Sequence, residues 1–292
     1  DLSGWDISNV TNISNMFENI EIYFDITTWD VSSVTDMRAL FAGKDNFNQD
    51  LSGWDVSNVT KMSNLFYACN SFNGNLSSWD VSSVEEMITM FCQNESFEGQ
   101  GLESWDVSNV KTMYRMFDRA YAFNGDISSW DVSSVENTRN MFHDAISFNK
   151  NLTNWNLSNV TDISRMFLDA TSFNGDVSGW DVSNVTNFTQ LFYGAESFEG
   201  QGIETWNVSN AVTMDNMFRE TSISNHDLSN WDVSNVTAMN SMFQNASSFN
   251  SDLSSWDVSN VTNMASMFGN TSFNQDLSGW DISNVTNISN MF

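Results

Sequence analysis

Ten aspartates occupy one position of a sequence repeat, directly after a tryptophan. Carboxylates stacked at the spacing of neighbouring strands, about 4.8 Å, repel one another, which raises their pKa values or recruits cations. Nearby Ser and Thr side chains add oxygen atoms of the kind that Ca²⁺ prefers. The column comprises Asp6, Asp30, Asp55, Asp80, Asp106, Asp131, Asp181, Asp232, Asp257 and Asp281. We predict Ca²⁺ binding at its members Asp55, Asp80, Asp106, Asp131, Asp181, Asp232 and Asp257.

The same aspartates have a structural interpretation that the sequence leaves open. Each carboxylate would then accept hydrogen bonds from neighbouring Ser, Thr or backbone N–H groups and stay solvated. A melting temperature that rises with millimolar Ca²⁺ would favour the metal hypothesis, and an unchanged one would exclude it.

A second column consists of asparagines in the tripeptide Asn-Val-Thr. In a secreted eukaryotic protein this tripeptide is a glycan acceptor. Alternatively, Ser-Asn-Val-Thr is a structural turn in which the Thr side chain caps the following segment. The candidate glycosylation sites are Asn9, Asn58, Asn159, Asn184, Asn235, Asn260 and Asn284.

Residues for catalysis are scarce. His143 and His226 lie in different repeats, and no Ser/His/Asp set, metal-spaced Cys/His cluster or phosphate-binding loop is apparent. Cys69 replaces the alanine of most other repeats, so we expect it to be buried. Cys92 occupies a variable position and is expected to be exposed. The places of the two cysteines in the repeat differ by two residues, so a disulfide between neighbouring coils is possible but not favoured. We therefore predict a protein that is not an enzyme and has no certain cofactor.

These residues are carried by a repeat that extends along the whole chain. Twelve tryptophans follow one another at intervals of 24–26 residues. A fixed period of this size is typical of a solenoid, in which each repeat forms one coil. We predict one continuous solenoid over residues 1–292, with about eleven repeats and no capping repeat at either end. Residues 1–17 are identical to residues 276–292, which indicates either a duplication of eleven coils or one period of a continuous fibre. Together with the uncapped ends, this predicts a segment of a longer chain or of a fibre.

Within one repeat, the alternation of residue types predicts a strand. Trp54 and Val56 share one side of an extended segment, and Asp55 shares the other with Ser57. The apolar side must face inward, since the opposite choice would bury a column of carboxylates. The predicted core of the repeat comprises Leu51, Trp54, Val56, Val59, Met62, Leu65 and Phe66.

The second half of the repeat has a different apolar spacing. Val59, Met62 and Leu65 follow one another at intervals of three, which predicts one or two turns of α- or 3₁₀-helix. The fold class that we predict is a leucine-rich-repeat-like α/β solenoid, with a short parallel strand and a short helix or 3₁₀ turn in each coil.

The block Trp-Asp-Val-Ser-Asn-Val-Thr-Asn-Met-x-x-Met-Phe resembles the BspA-like leucine-rich-repeat surface proteins of bacteria and protists. The resemblance covers essentially the whole chain. Asn156 and Asn207 depart from it by replacing the usual Asp after Trp. The resemblance implies an extracellular, cell-surface or adhesive role and transfers no catalytic residue, because the family motif contains none.

Composition restricts the partners. The net charge is −27 and the pI is about 4.1, which argues against binding to nucleic acid or to anionic membranes. No apolar run is long enough for a transmembrane segment. The chain contains no proline, as expected if every coil uses its backbone N–H groups in a hydrogen-bonded stack.

Together these features predict a non-enzymatic extracellular protein with a structural or adhesive role in a surface filament. The expected partners are further copies of the chain, head-to-tail or lateral, and host or matrix proteins or glycans. The alternative is a ligand-binding solenoid that uses the acidic Asp/Ser face with help from Ca²⁺.

Overall fold

Successive repeats lie on one another as coils. The structure is a computed structural model that describes residues 1–18 and 20–292. Isolated parallel bridges join equivalent positions of neighbouring coils, seven residues after each tryptophan. They connect Asn12, Asp36, Lys61, Glu86, Thr112 and Asn137 in one series, and Asp162, Asn187, Thr213, Ala238, Asn263 and Asn287 in another.

The predicted α/β fold class, with a short parallel strand and a short helix in each coil, is wrong. In the described part of the chain there is no α-helix and no strand beyond the isolated bridges. The regular elements there are two 3₁₀ helices, Leu102–Ser104 and Ile203–Thr205. Moreover, the bridges lie in the half of the repeat for which the apolar spacing predicted a helix.

Left-handed residues prevent a helix in that half. Asn64 and Ala68 have φ values of 60° and 49°, and equivalent pairs recur in other coils. The N–H groups of Asn64, Phe66 and Ala68 donate to carbonyls of the next coil over 2.8–2.9 Å. An α-helix would use these N–H groups within its own segment, four residues back. The apolar residues at helical spacing therefore line a series of turns that need a neighbouring coil.

The predicted strand around the tryptophan is absent. In this segment, side-chain hydrogen bonds connect neighbouring coils where a strand would use backbone hydrogen bonds. The Trp54 Nε1–H donates to the Ile26 carbonyl of the preceding coil over 3.1 Å. The Asn58 amide likewise donates to the Ser32 carbonyl over 2.8 Å. The backbone N–H of Trp54 closes a local turn onto the Leu51 carbonyl instead. Without a backbone ladder the segment forms no sheet, although the backbone of Trp105 and Trp206 is extended.

The predicted core is confirmed. Leu51, Trp54, Val56, Val59, Met62, Leu65 and Phe66 are each at most 2% exposed. Phenylalanines form two parallel columns: Phe66 stacks on Phe72 of its own repeat at 3.9 Å between ring centroids and on Phe91 of the next at 5.5 Å. A single apolar cluster of this kind extends from Ile7 to Phe268. Burial of this aromatic surface is the main force that holds coil to coil.

The two 3₁₀ helices arise in the two longest repeats. Each helix is preceded by a left-handed glycine, Gly101 with φ 90° and Gly202 with φ 93°. A Cβ atom on Gly101 would overlap the backbone nitrogen of Ser77 in the neighbouring coil, and one on Gly202 that of Ser178. Only glycine satisfies both the conformation and the close approach, so the additional residue is absorbed in a local turn.

The left-handed turns can be tested with one pair of alanines. Ala39 has a φ of 53°, whereas Ala42 is not among the residues with positive φ. Ala39→Gly should raise the free energy of unfolding by about 1 kcal/mol, because it removes a steric cost that Ala bears in this region. Ala42→Gly, the matched control, should lower it by about 0.5–1 kcal/mol through unfolded-state entropy. Denaturant titration measures both, and equal destabilisation by the two substitutions would contradict the turn geometry.

Candidate functional site

The aspartates that follow the tryptophans lie on the surface and bind their own chain. Oδ1 of Asp30 accepts from the backbone N–H of Ser32 over 3.1 Å and from its hydroxyl over 2.6 Å. Asp6 and Asp55 accept the same pair of bonds from the serine two residues on. The Ser hydroxyl and then the Ser N–H lower the carboxyl pKa at Asp6, Asp30, Asp80, Asp131, Asp181, Asp232 and Asp257.

This direction is opposite to the rise in pKa that repulsion along the column would cause. Repulsion by Asp6 on Asp30 is present, but it is the smallest of the causes that act on that carboxyl. In the described residues, no three carboxylates of the column place ligand atoms within 4.8 Å of one another. This geometry favours the structural interpretation, and Ca²⁺ binding by Asp55, Asp80, Asp106, Asp131, Asp181, Asp232 and Asp257 stays a prediction.

The asparagines of the Asn-Val-Thr column also join neighbouring coils. Their side-chain amides donate to a serine carbonyl of the preceding coil, as Asn159 does to Ser133 over 2.7 Å. Asn109 and Asn210 make the same bond although neither is followed by Val-Thr. The asparagine therefore has a structural role that does not depend on the glycosylation signal. Glycan attachment stays a prediction.

A different group of polar side chains interrupts the regular pattern in the middle of the chain. Asp118 and His143 occupy equivalent positions of two neighbouring coils, and Asp144 and Asp169 occupy the next position in the coils of His143 and its successor. We call Asp118, His143, Asp144 and Asp169 the histidine cluster. Asp144 and Asp169 both have a φ of 56°. Left-handed backbone at the same point of successive coils places these two side chains side by side.

The imidazole of His143 lies between two carboxylates. Its Nδ1 is 2.9 Å from Oδ1 of Asp118, and its Nε2 is 3.5 Å from Oδ2 of Asp144. Asp118 is only 1% exposed, whereas the His143 side chain is 14% exposed. His143, Asp144 and Asp169 each offer a ligand atom within 4.8 Å of the other two, the one such trio in residues 1–18 and 20–292.

Ion pairs and burial set the electrostatics of the histidine cluster. The Arg115 guanidinium binds the second oxygen of Asp118 over 2.6 Å, and Arg119 approaches Asp144 at 3.4 Å. Burial, followed by repulsion from Asp144, raises the pKa of the Asp169 carboxyl. In the preceding coil, burial and Asp118 raise the pKa of the Cys92 thiol to about 12, so Cys92 is a protonated thiol at neutral pH.

The sequence analysis missed this cluster because its positions vary from repeat to repeat. A signal is present: aspartates lie 25 residues before His143 and 25 residues after Asp144. The expected exposure of Cys92 is wrong, since this residue is 2% exposed, whereas Cys69 is buried as predicted. Both cysteines are free thiols.

The second histidine has a different environment. Nε2 of His226 lies 2.7 Å from the Glu199 carbonyl oxygen, and Nδ1 lies 3.5 Å from a carboxylate oxygen of Glu204. Nε2 of His226 is therefore hydrogen-bonded to a backbone carbonyl and is not free to bind a ligand. His226 serves as a natural comparison for His143.

Comparison with protein families shows which family the chain belongs to. Three successive stretches, residues 1–100, 86–203 and 188–292, each match the family described as "Mycoplasma protein of unknown function, DUF285". The chain belongs to this family. The matches confirm a tandem repeat family, whereas the finer resemblance to BspA-like leucine-rich repeats stays a prediction. A search of curated proteins finds no match. No helix in the described part of this DUF285 chain has the length and hydropathy to cross a bilayer.

Proposed function

We propose that this chain is a non-enzymatic structural and adhesive repeat protein of the cell surface, as BspA-like proteins are, and that its coils stack into a filament. The observation that supports this proposal is the hydrogen bonding between coils. On one side of a coil, backbone N–H groups such as those of Asn64 and Phe66 donate to the next coil. On its other side, the Trp54 indole donates to the preceding coil. Each coil is therefore complementary to its neighbour on both sides.

Such complementarity does not depend on chain connectivity. The coils at the two ends of the described structure expose residues whose equivalents are buried elsewhere: Trp5 is 55% exposed, Ile288 is 51% exposed and Phe292 is 73% exposed. The internal equivalents Trp155 and Met264 are fully buried. Covering an apolar side chain of this size contributes about 1.5–3 kcal/mol. Any further coil stacked on these residues, whether of the same chain or of a second copy, would cover them as the next coil does inside the described structure.

Charge favours association along the stack over association side by side. The net charge of −27 is carried by exposed groups such as the aspartates that follow ten of the twelve tryptophans. Like-charged flanks repel at low salt and are screened within about 8 Å at physiological ionic strength. For the same reason, adhesive partners should present basic surfaces or glycans rather than nucleic acid.

An enzymatic role has little to support it. A shallow depression of about 250 Å³ is lined by Ala68, Asn70, Gln93, Glu95, Arg119 and Tyr121. Its lining contains no Ser, Thr, Cys or Lys side chain that could act as the nucleophile of an acyl transfer.

The second candidate function is ligand binding at the Asp/Ser face, assisted by Ca²⁺. The observation that favours it is that Oδ1 of residues such as Asp30 and Asp55 binds serine, whereas these hydrogen bonds leave Oδ2 unused. A rise in melting temperature in millimolar Ca²⁺ that Mg²⁺ does not reproduce would support it, because only ions that bind the folded state stabilise it.

End-to-end association has a specific test. In sedimentation velocity and negative-stain images the chain should form rods longer than one molecule, in proportions that rise with concentration. Ile288→Glu should weaken this association at least tenfold, because it places a charge where an apolar contact of over about 1.4 kcal/mol is expected.

The matched control is Ile146→Glu, since Ile146 is 42% exposed in an internal coil. That substitution should leave the rods unchanged. A chain that remains monomeric at its highest soluble concentration, or equal losses in the two variants, would exclude end-to-end stacking.

A further inference from the structure

The histidine cluster has the geometry of a metal centre. We propose that His143 Nε2 and the carboxylates of Asp144 and Asp169 bind one divalent transition-metal ion, with Asp118 as the positioning residue of the histidine. Two ligands of a tetrahedral Zn²⁺ at about 2.1 Å stand about 3.4 Å apart. The observed separation of Nε2 and Oδ2 of Asp144 is 3.5 Å. All three ligand atoms lie within 4.8 Å of one another, so an ion between them needs only small side-chain movements.

The burial of the Asp118 carboxylate is an independent observation that points to a ligand. Its side chain is only 1% exposed, and Oδ1 lies 2.9 Å from Nδ1 of His143. In the described residues neither of these two atoms has a hydrogen-bond partner, although they lie this close together. A small rotation of the imidazole would let Nδ1–H donate to Oδ1 and would leave the Nε2 lone pair to a metal ion. A carboxylate is the usual outer partner of a metal-ligating imidazole.

The negative charges around the cluster favour binding of an additional cation. Asp144 and Asp169 are adjacent, and Glu196 and Glu220 add further negative charge near Asp169. Arg119 contacts Asp144 at 3.4 Å, but Asp169 has no ion pair with a basic side chain within 4.0 Å in the described structure. A bound cation would relieve the repulsion between the two carboxylates.

The next coil leaves room for the Asp169 carboxylate. Gly194 occupies the equivalent position there, with a φ of 71°. A Cβ atom on Gly194 would overlap Oδ1 of Asp169. Because only glycine lacks this atom, the column of side chains opens at this point. Half-burial of His143, Asp144 and Asp169 keeps the site accessible to ions from solvent.

The donor set indicates which ions bind. One imidazole nitrogen and two carboxylate oxygens suit Zn²⁺, Mn²⁺ or Co²⁺ and leave a fourth position for water. Ca²⁺ and Mg²⁺ prefer oxygen alone. The competing interpretation needs no metal: a protonated His143 would pair with Asp118 and Asp144 at once. The experiment must therefore separate ion binding from proton binding.

The test is a calorimetric titration of the whole chain with Zn²⁺. The solution contains NaCl at about 0.15 M and an excess of Mg²⁺, so that weak binding of Zn²⁺ to the acidic surface is suppressed. We expect one tight site per chain, accompanied by an increase in melting temperature. Asp169→Asn and His143→Gln should both lose this site. The matched control His226→Gln, which changes the histidine near Glu199 and Glu204, should bind as the unmodified chain does.

Asp118→Asn tests the positioning role separately. It should weaken Zn²⁺ binding about 10–100-fold and alter the visible absorption of bound Co²⁺, since the orientation of the imidazole changes. Tryptophan fluorescence without metal shows whether each variant is folded. If His143→Gln or Asp169→Asn does not fold, Asp144→Asn is used in its place. Retention of the tight site in His143→Gln and Asp169→Asn, or absence of a tight site in the unmodified chain, would overturn the proposal.

Discussion

Replacing Trp155 by alanine is expected to lower the free energy of unfolding by about 3–5 kcal/mol. Trp155 is fully buried, packs against Phe142 at 6.1 Å between ring centroids and donates from Nε1 to the Ile127 carbonyl over 3.0 Å. The substitution leaves a cavity inside the stack and removes one of the two hydrogen bonds to the Ile127 carbonyl, which also accepts from the Trp130 N–H over 3.2 Å. Denaturant unfolding, followed by the fluorescence of the remaining tryptophans, measures the loss.

Two variants make this result specific. Trp5→Ala removes the same side chain from a position that is 55% exposed, so it should cost no more than about 1 kcal/mol. Trp155→Phe keeps an aromatic ring but removes the bond to Ile127, which isolates a cost of about 0.5–1.5 kcal/mol for that hydrogen bond. Similar losses for Trp5→Ala and Trp155→Ala would show that the tryptophan column does not hold the coils together.

Replacing Arg165 by proline is expected to destabilise the chain by about 3 kcal/mol or more. Arg165 has an exposed side chain, a φ of 59° and a backbone N–H that donates to the Thr189 carbonyl of the next coil over 3.0 Å. Proline fixes φ near −65° and has no N–H, so it removes both the turn and the bond between coils.

The matched control for this change is Arg165→Gly. It loses the exposed side-chain bond to Gln190 but tolerates the left-handed backbone, so its stability should stay within about 1 kcal/mol of the unmodified chain. An α-helix in this segment would be weakened by glycine as well as by proline. Comparable destabilisation by the two variants would therefore contradict the observed backbone.

The location of the core could be predicted from residue types alone. Burial of Trp54, Val56 and Phe66 follows from their apolar side chains, because any fold must remove such columns from water. The 24–26-residue period then implies stacked coils. The lack of proline likewise agrees with a backbone whose N–H groups are needed.

Backbone conformation could not be predicted in the same way. Spacing of three between Val59, Met62 and Leu65 suits a helix, but it equally suits turns in which every fourth residue is left-handed. Asn64 and Ala68 adopt that conformation because their N–H groups find carbonyls in the next coil. Such acceptors are 24 residues away along the chain, so local propensity holds no information about them.

The histidine cluster depended even more on the tertiary structure. His143 and Asp144 are adjacent in sequence, but Asp118 and Asp169 are brought to them only because the coils are in register. The residue types and their period thus determined by themselves what is buried and how often the unit recurs. Only stacking decided which backbone bonds form and which polar side chains meet, because both are interactions between coils and no single repeat contains both partners.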